Sequence, residues 1–175
     1  LGAKYHGRFA GTLAAFGTYS FFPSKNLGGL GDAGMLVCED ALLAEKARIL
    51  RNHGAQPKYY HRYIGGNFRL DTLQAALLRP KLSKLESYNQ RRRENAQYYS
   101  STLAAVPGII LPKALPGHDH IWNQYTIRVS GGRRDGLRTA LQSKGIMTEV
   151  YYPVPLHRQE CFAPLINHCP VADAL

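Results

Sequence analysis

The sequence lacks a long hydrophobic run and has few cysteines. In its 175 residues no apolar stretch approaches the ~18 residues that a membrane-spanning helix requires. Three cysteines cannot all pair within one chain, which argues against a disulfide-stapled domain and predicts a reducing, cytoplasmic location. Hydrophobic residues make up 45% of the chain and charged residues 19%, so the composition is that of an ordinary globular protein rather than a disordered one.

Acidic residues are also scarce, 12 against 22 basic ones, which leaves a net charge of +10. Such a charge suits either nucleic acid or small anionic substrates. The only dense basic run is Arg91-Arg92-Arg93, within a helical pattern, and neither zinc-finger spacing nor basic strands interleaved with aromatic residues accompany it. A solvated basic surface is therefore favoured, with a basic nucleic-acid-binding fragment as the alternative.

The first half of the chain predicts a β-hairpin and then helices. Residues 14–22 and 33–38 are strand-like and are joined by a Gly-rich turn. Asp40 can cap a helix over about 41–53, which Gly54 would end. Asp71 and Gln74 resemble a capping box that opens the next helix. Pro80 should end or kink that helix, and a further helix should run over about 81–103.

The last third predicts a small α/β unit. Alternating residues 124–129 indicate a strand, residues 134–144 a helix that Gly145 ends, and residues 146–152 a second strand. Residues 106–120 are rich in Pro and Gly and resemble a linker or loop.

Two weak motifs are not taken as sites. Residues 29–34 match G-x-G-x-x-G but run into a strand, whereas a dinucleotide site needs a helix at that place. The groups His118-Asp119-His120 and Cys161, His168, Cys169 lack the spacing of known metal sites, so no metal is expected.

Lys25 is the informative residue. It follows an aromatic strand and precedes a Gly-rich turn. A lysine held near apolar walls loses its proton more easily, and only the neutral amine attacks a carbonyl. The position is compatible with Schiff-base chemistry, although most lysines are solvated surface charges.

Four segments strengthen that interpretation because they resemble one family in order. They are SFFPSKNLG with GDAG (residues 20–28 and 31–34), LRNHG (50–54), GGNFRLDTLQAA (65–76) and YPVPLH (152–157). Together they resemble the DegT/DnrJ/EryC1/StrS family of pyridoxal-phosphate-dependent sugar aminotransferases. The resemblance implies an α/β fold of the fold type I class, like that of aspartate aminotransferase.

The resemblance also implies roles for individual residues. Lys25 would form the Schiff base with pyridoxal 5'-phosphate and then move a proton during transamination, and Ser20 would bind the cofactor phosphate. Asn67 would reach the phosphate of the neighbouring subunit of a homodimer. Arg69 and Tyr152 would line the site of a nucleotide-linked keto-sugar, with glutamate as the expected amino donor. Tyr151 departs from the family pattern, in which His-Tyr-Pro is commoner.

The resemblance starts partway through the family's large domain. Residues 1–86 would be the C-terminal part of that domain and residues 87–175 an incomplete small domain. Because the chain begins with Leu1 rather than Met, we expect a fragment. The resemblance implies that upstream elements which bind the cofactor in the family are missing from it, so we expect the fragment to be inactive alone. A non-catalytic oligomerisation partner of the same fold is a further alternative, against which Lys25 argues.

Overall fold

The structure is a computed structural model that describes residues 1–165 and 168–174. Its strands are β1 (Lys4–Tyr5), β2 (Arg8–Phe9), β3 (Gly17–Ser20), β4 (Gly34–Val37), β5 (Ile109–Ile110), β6 (His118–Asp119) and β7 (Arg128–Val129). Its helices are α1 (Ala41–Arg51), α2 (Thr72–Leu82), α3 (Leu85–Leu103), α4 (Arg134–Ser143) and α5 (Pro170–Asp173). Within the described residues, no helix combines the length and the hydropathy needed to cross a membrane.

The chain divides into two compact units. The first comprises Leu1–Val106 with Leu111–Tyr125, and the second comprises Pro107–Ile110 with the described residues after Tyr125. The first unit includes α3, which the sequence assigned to the small domain. The domain boundary between residues 86 and 87 stays a prediction.

The predicted hairpin is present and carries the Gly-rich connection. Strands β3 and β4 pair antiparallel from Gly17 opposite Val37 to Ser20 opposite Gly34. The paired strands are shorter than the predicted segments. Strand β1 pairs with β2 and β6 in a separate small antiparallel sheet.

Helix α1 confirms the predicted start, but it ends at Arg51 with Asn52 as its C-cap, two residues before the predicted end. The Oδ1 atom of Asp40 accepts hydrogen bonds from the backbone N–H groups of Leu42 and Leu43, at 2.8 and 3.0 Å, which satisfies donors that the first helical turn leaves free. Gly54 adopts φ +70°, and a Cβ atom there would lie 1.8 Å from the carbonyl oxygen of Tyr63. Glycine is therefore required both by the backbone conformation and by the close approach of the following loop.

The capping box predicted for α2 was wrong. Asp71 stands at the N-cap position but its side chain makes no capping hydrogen bond. The Gln74 side chain instead accepts a hydrogen bond from the backbone N–H of Leu30, at 2.9 Å. The Gln74 side chain, which a capping box would use at the start of α2, is thus engaged in a long-range contact with Leu30.

The break between α2 and α3 lies later than predicted. Pro80 is inside α2, which continues to Leu82, and α3 begins at Leu85 rather than at residue 81. Pro80 is tolerated because it lies in the last turn of the helix, where a lost N–H interrupts only the end of the hydrogen-bond ladder.

The second unit contains less strand than predicted. Helix α4 is present, but only Arg128–Val129 of the predicted strand 124–129 pairs, with β5. The strand predicted over 146–152 is absent from the described residues. The Glu149 carboxylate accepts the backbone N–H of Val150 at 2.8 Å, so a local side chain takes a donor that a neighbouring strand would use.

The main apolar cluster surrounds the turn that follows β3. Phe21, Leu27, Leu78 and Leu85 are buried together, and Leu1, Tyr19 and Ala33 pack against them. Burial of each large side chain contributes about 2 kcal/mol. Two members of the cluster, Phe21 and Leu27, lie before and after Lys25 in the sequence, so the segment that carries the candidate reactive lysine is anchored to the core on both sides.

Candidate active site

The lysine turn, residues 21–31, is folded by its own backbone. The N–H of Phe21 donates to the carbonyl of Ala33 at 2.7 Å, and the N–H of Gly29 donates to the carbonyl of Phe21 at 2.8 Å. The N–H of Lys25 donates to the carbonyl of Phe22, also at 2.8 Å. A Cβ on Gly28 would lie 2.3 Å from the carbonyl oxygen of Pro23, so the turn closes only with glycine there.

Lys25 itself is exposed, and the apolar side chains lie on residues beside it rather than around it. Among the residues that the structure describes, no hydrogen bond or salt bridge occupies its Nζ atom.

Ser20 ends strand β3 and is exposed. Its Oγ accepts a hydrogen bond from the N–H of Phe22 at 3.3 Å. Since the oxygen acts as an acceptor in this contact, the hydroxyl proton is available for donation to an anion such as a phosphate.

A buried amide network lies under Lys25. The Asn26 Nδ2 donates to Oδ1 of Asn89 at 2.7 Å and to the carbonyl of Ile121 at 3.0 Å, and its Oδ1 accepts from Nδ2 of Asn123 at 3.0 Å. Asn89 is fully buried and also donates to the carbonyl of Leu1 at 3.3 Å. Every polar atom of the Asn26 side chain is thus bonded, as burial requires.

Two further side chains, both from α2, hold the glycine-rich end of the lysine turn. Gln74 accepts from the N–H of Leu30, and the Lys81 ammonium donates to the carbonyl of Gly28 at 2.8 Å. Sequence reasoning missed these anchors and the roles of Asn26 and Asn123. The available signal was Asn89, which lies in a mostly apolar stripe repeating every three or four residues: Leu85, Asn89, Arg92, Ala96, Tyr99 and Leu103. An amide buried in such a stripe must have a hydrogen-bond partner.

Asn67 and Arg69 lie together on a second segment, the Asn67 loop, residues 55–70. Asn67 forms an isolated bridge with Asn52, and the guanidinium of Arg69 donates to Oδ1 of Asn52 at 2.9 Å. Asn67 and Arg69 are both exposed. The segment LRNHG and the segment GGNFRL are therefore joined in space, with Asn52 orienting Arg69.

An open, basic groove runs beside this loop, with a volume of about 310 Å³. Its charged lining consists of Arg48, Arg51 and Arg69 against Glu45. Glu45 pairs with Arg48 at 3.3 Å. The remaining positive charge favours an anionic ligand.

Tyr152 belongs to the second unit and is 77% exposed, with its ring centroid 5.3 Å from that of Tyr151. The structure therefore places Ser20 with Lys25 on one hairpin segment and Asn67 with Arg69 on one loop, whereas Tyr152 lies in a different unit.

The discounted motifs have other environments. Residues 29–34 lead into strand β4 rather than a helix. His168 lies 3.2 Å from Asp173, which also binds His157 and Arg158. Within the described residues, no group of three His, Cys, Asp or Glu side chains is arranged to hold a metal ion, and the three cysteines are free thiols.

Comparison with known proteins now decides the family. The model of the DegT/DnrJ/EryC1/StrS aminotransferase family matches residues 1–175. The chain belongs to this family. It is 44% identical over its full length to a UDP-N-acetyl-3-dehydro-alpha-D-glucosamine 3-aminotransferase of Acidithiobacillus ferrooxidans, of which it covers 47%. It is 47% identical, over 94% of its length and 44% of the relative, to a protein of Geobacillus stearothermophilus named a pleiotropic regulatory protein.

The fold agrees with that assignment. DesV of S. venezuelae, solved in complex with a ketimine intermediate, superposes with a TM-score of 0.92 at 44% identity. The match covers 98% of this chain and 46% of DesV. The predicted α/β fold of the sugar aminotransferases is confirmed, and the chain spans about half the length of the curated relatives that it matches.

Proposed function

We propose that this chain supplies the reactive lysine of a pyridoxal-phosphate-dependent aminotransferase that aminates a nucleotide-linked keto-sugar, for amino-sugar biosynthesis. The observation that carries the proposal is the exposed amine of Lys25 on a turn fixed from below by buried contacts, in a member of an aminotransferase family. A flexible surface lysine would lack such anchorage.

The residues of the lysine turn fit the cofactor. The side chain of Lys25 is exposed, so the carbonyl carbon of the cofactor could reach its amine. Ser20 has a hydroxyl proton that it could donate to a phosphate oxygen. Pyridoxal phosphate, when bound, supplies the electron sink for the reaction. Lys25 then acts as base and acid, moving a proton at the carbon that gains or loses the amino group.

The substrate class is proposed from the relatives and from charge. The Acidithiobacillus relative is named for a UDP-linked keto-sugar, and the groove beside Arg69 has an excess of positive charge that suits a diphosphate. Arg69 and Tyr152 would contact this substrate, and glutamate would be the amino donor.

A homodimer with shared sites is part of the proposal. Asn67 would reach the cofactor phosphate of the partner subunit. Support comes from the Asn67 loop, which exposes large apolar side chains that a second subunit could cover: Tyr59, Tyr60, Ile64 and Phe68, each at least 70% exposed.

The test is amino transfer by the complete protein that contains this chain. Purified protein is given pyridoxal phosphate, glutamate and a UDP-linked 3-keto-sugar, and 2-oxoglutarate is measured. Lys25→Ala should abolish product formation, whereas the matched control Lys84→Ala, at another exposed lysine of the first unit, should not. Equal turnover by Lys25→Ala and wild type would refute the role of Lys25. A regulatory protein without transaminase activity would give no product with either the wild type or Lys25→Ala.

A further inference from the structure

The side chain of Asn123 contacts both sequence neighbours of Lys25. Its Nδ2 donates to the backbone carbonyl of Ser24 at 3.3 Å and to Oδ1 of Asn26 at 3.0 Å. One side-chain amide therefore binds the residue before Lys25 and the residue after it. Among the described residues, Asn123 is the one whose side chain donates hydrogen bonds to both of these neighbours.

Asn123 is itself held in place. The guanidinium of Arg92, on α3, donates to the carbonyl oxygens of Trp122 and Asn123, each at 3.1 Å. Helix α3 also supplies the buried Asn89, which accepts from Asn26. Asn123 and the lysine turn are thus both fixed to α3, and all of these contacts lie within the first compact unit.

The two contacts of Asn123 limit the movement of Lys25. A long side chain on a free turn samples many positions, and ordering it at the moment of reaction costs conformational entropy. Holding the backbone carbonyl of Ser24 and the side chain of Asn26 restricts the positions that the Cα–Cβ bond of Lys25 can take, while the side chain of Lys25 stays exposed. A misplacement of about 1 Å at a reacting group can cost a hundredfold in rate.

We propose that Asn123 is a positioning residue, which sets the direction of Lys25 toward the cofactor aldehyde by bridging Ser24 and Asn26. This inference rests on the proposed function. Asn123 acts through the backbone of the turn and does not itself touch the reacting atoms.

The test uses the complete protein and three variants. Asn123→Ala removes both donated hydrogen bonds, and Asn123→His keeps one N–H donor near the original position. Asn95→Ala is the control, because Asn95 is an exposed amide on α3 outside the network. Two quantities are measured at a temperature where circular dichroism shows all proteins folded. They are the rate at which pyridoxal phosphate forms a borohydride-reducible adduct on Lys25, and hydrogen exchange across residues 22–28 without cofactor.

We expect Asn123→Ala to form the adduct about tenfold or more slowly and to exchange faster within residues 22–28 only. Asn123→His should be intermediate, and Asn95→Ala should equal wild type. A wild-type adduct rate for Asn123→Ala would overturn the inference. Faster exchange throughout the first unit, with no rescue by histidine, would also overturn it, because the role would then be merely structural.

The proposed function and this inference fail separately. If the wild type forms no adduct on Lys25, the proposed function is wrong and the cofactor-facing role of Asn123 falls with it. If the wild type forms the adduct normally and Asn123→Ala does too, only the role of Asn123 is refuted.

Discussion

The lysine turn and the Asn67 loop carry the two groups of proposed cofactor and substrate residues, but they are stabilised in different ways. The lysine turn lies on the apolar cluster and is held by side chains from α2, α3 and residue 123. The Asn67 loop is tied mainly by backbone hydrogen bonds to the end of α1, and its apolar side chains face solvent. The lysine turn is thus held in place by contacts within this chain. The Asn67 loop instead exposes a surface that a partner or substrate would cover under the proposed function.

The largest effect is expected from breaking the network under Lys25. Asn89→Ala leaves one of the two N–H groups of the buried Asn26 amide without an acceptor and removes the bond to Leu1, so the free energy of unfolding should fall by about 3 kcal/mol. Asn95→Ala on the same helix should change it by less than about 0.5 kcal/mol. Denaturant unfolding of both variants measures the difference, and equal stabilities would show that the network contributes nothing.

A smaller loss is expected from the anchor at the glycine-rich end. Gln74→Ala removes the acceptor for the N–H of Leu30, and a single such hydrogen bond contributes about 1 kcal/mol. Gln97→Ala, at an exposed position on α3, is the control. If the two variants unfold at the same denaturant concentration, Gln74 is not an anchor.

In the Asn67 loop, substitution should affect assembly-dependent activity rather than folding. Asn67→Ala should change the stability of the first unit by less than about 0.5 kcal/mol, because the side chain is exposed. If Asn67 serves the partner's site, mixing inactive Lys25→Ala and Asn67→Ala subunits restores one complete site in each mixed dimer. Roughly a quarter of wild-type activity is then expected.

No recovery in that mixture, with subunit exchange verified by native mass spectrometry, would contradict a shared site. The mixture of Lys25→Ala subunits with Lys25→Ala, Asn67→Ala double-variant subunits is the matched control. It should remain inactive under any arrangement of the dimer, since no subunit in it has Lys25.

The smallest effect concerns acid and the end of the second unit. Hydrogen bonds from Arg158 and then His157 hold the pKa of Asp173 well below its ordinary value. Because the pKa of this carboxyl is lower in the folded protein than in the unfolded chain, its contacts stabilise the fold at pH values above the ordinary carboxyl pKa. This stabilisation is lost as the pH falls toward the lowered pKa. The hydrogen-exchange protection of residues 156–165, measured relative to the intrinsic exchange rate at each pH, should therefore fall below about pH 4 in wild type. In Asp173→Asn it should show no such step, and an identical acid response in both proteins would exclude Asp173 as its cause.

The sequence was sufficient where structure depends on neighbouring residues. The Asp40 cap and the β3–β4 hairpin depend on local backbone chemistry and were predicted from the residue types. The strand over 146–152 was predicted wrongly, because a periodic pattern does not show whether a partner strand exists.

Long-range polar contacts were beyond local reasoning. Asn26 and Asn123 meet across 97 positions in the chain, and neither has a local pattern that indicates its partner. Lys25 was singled out by its position and strengthened by resemblance to a family, whereas Ser20, Asn67, Arg69 and Tyr152 were found through that resemblance alone. The roles of all five residues stay predictions. Only the fold shows that the lysine turn is anchored on both sides of Lys25.

The central claim is that Lys25 is a positioned reactive amine and not one surface lysine among several. The most direct measurement is borohydride reduction of the complete protein with one equivalent of pyridoxal phosphate, followed by peptide mass mapping. The anchored turn predicts that the label is confined to the peptide containing Lys25 and disappears in Lys25→Ala. Label spread evenly over lysines such as Lys84, Lys113 and Lys144, with Lys25 not preferred, would contradict the claim.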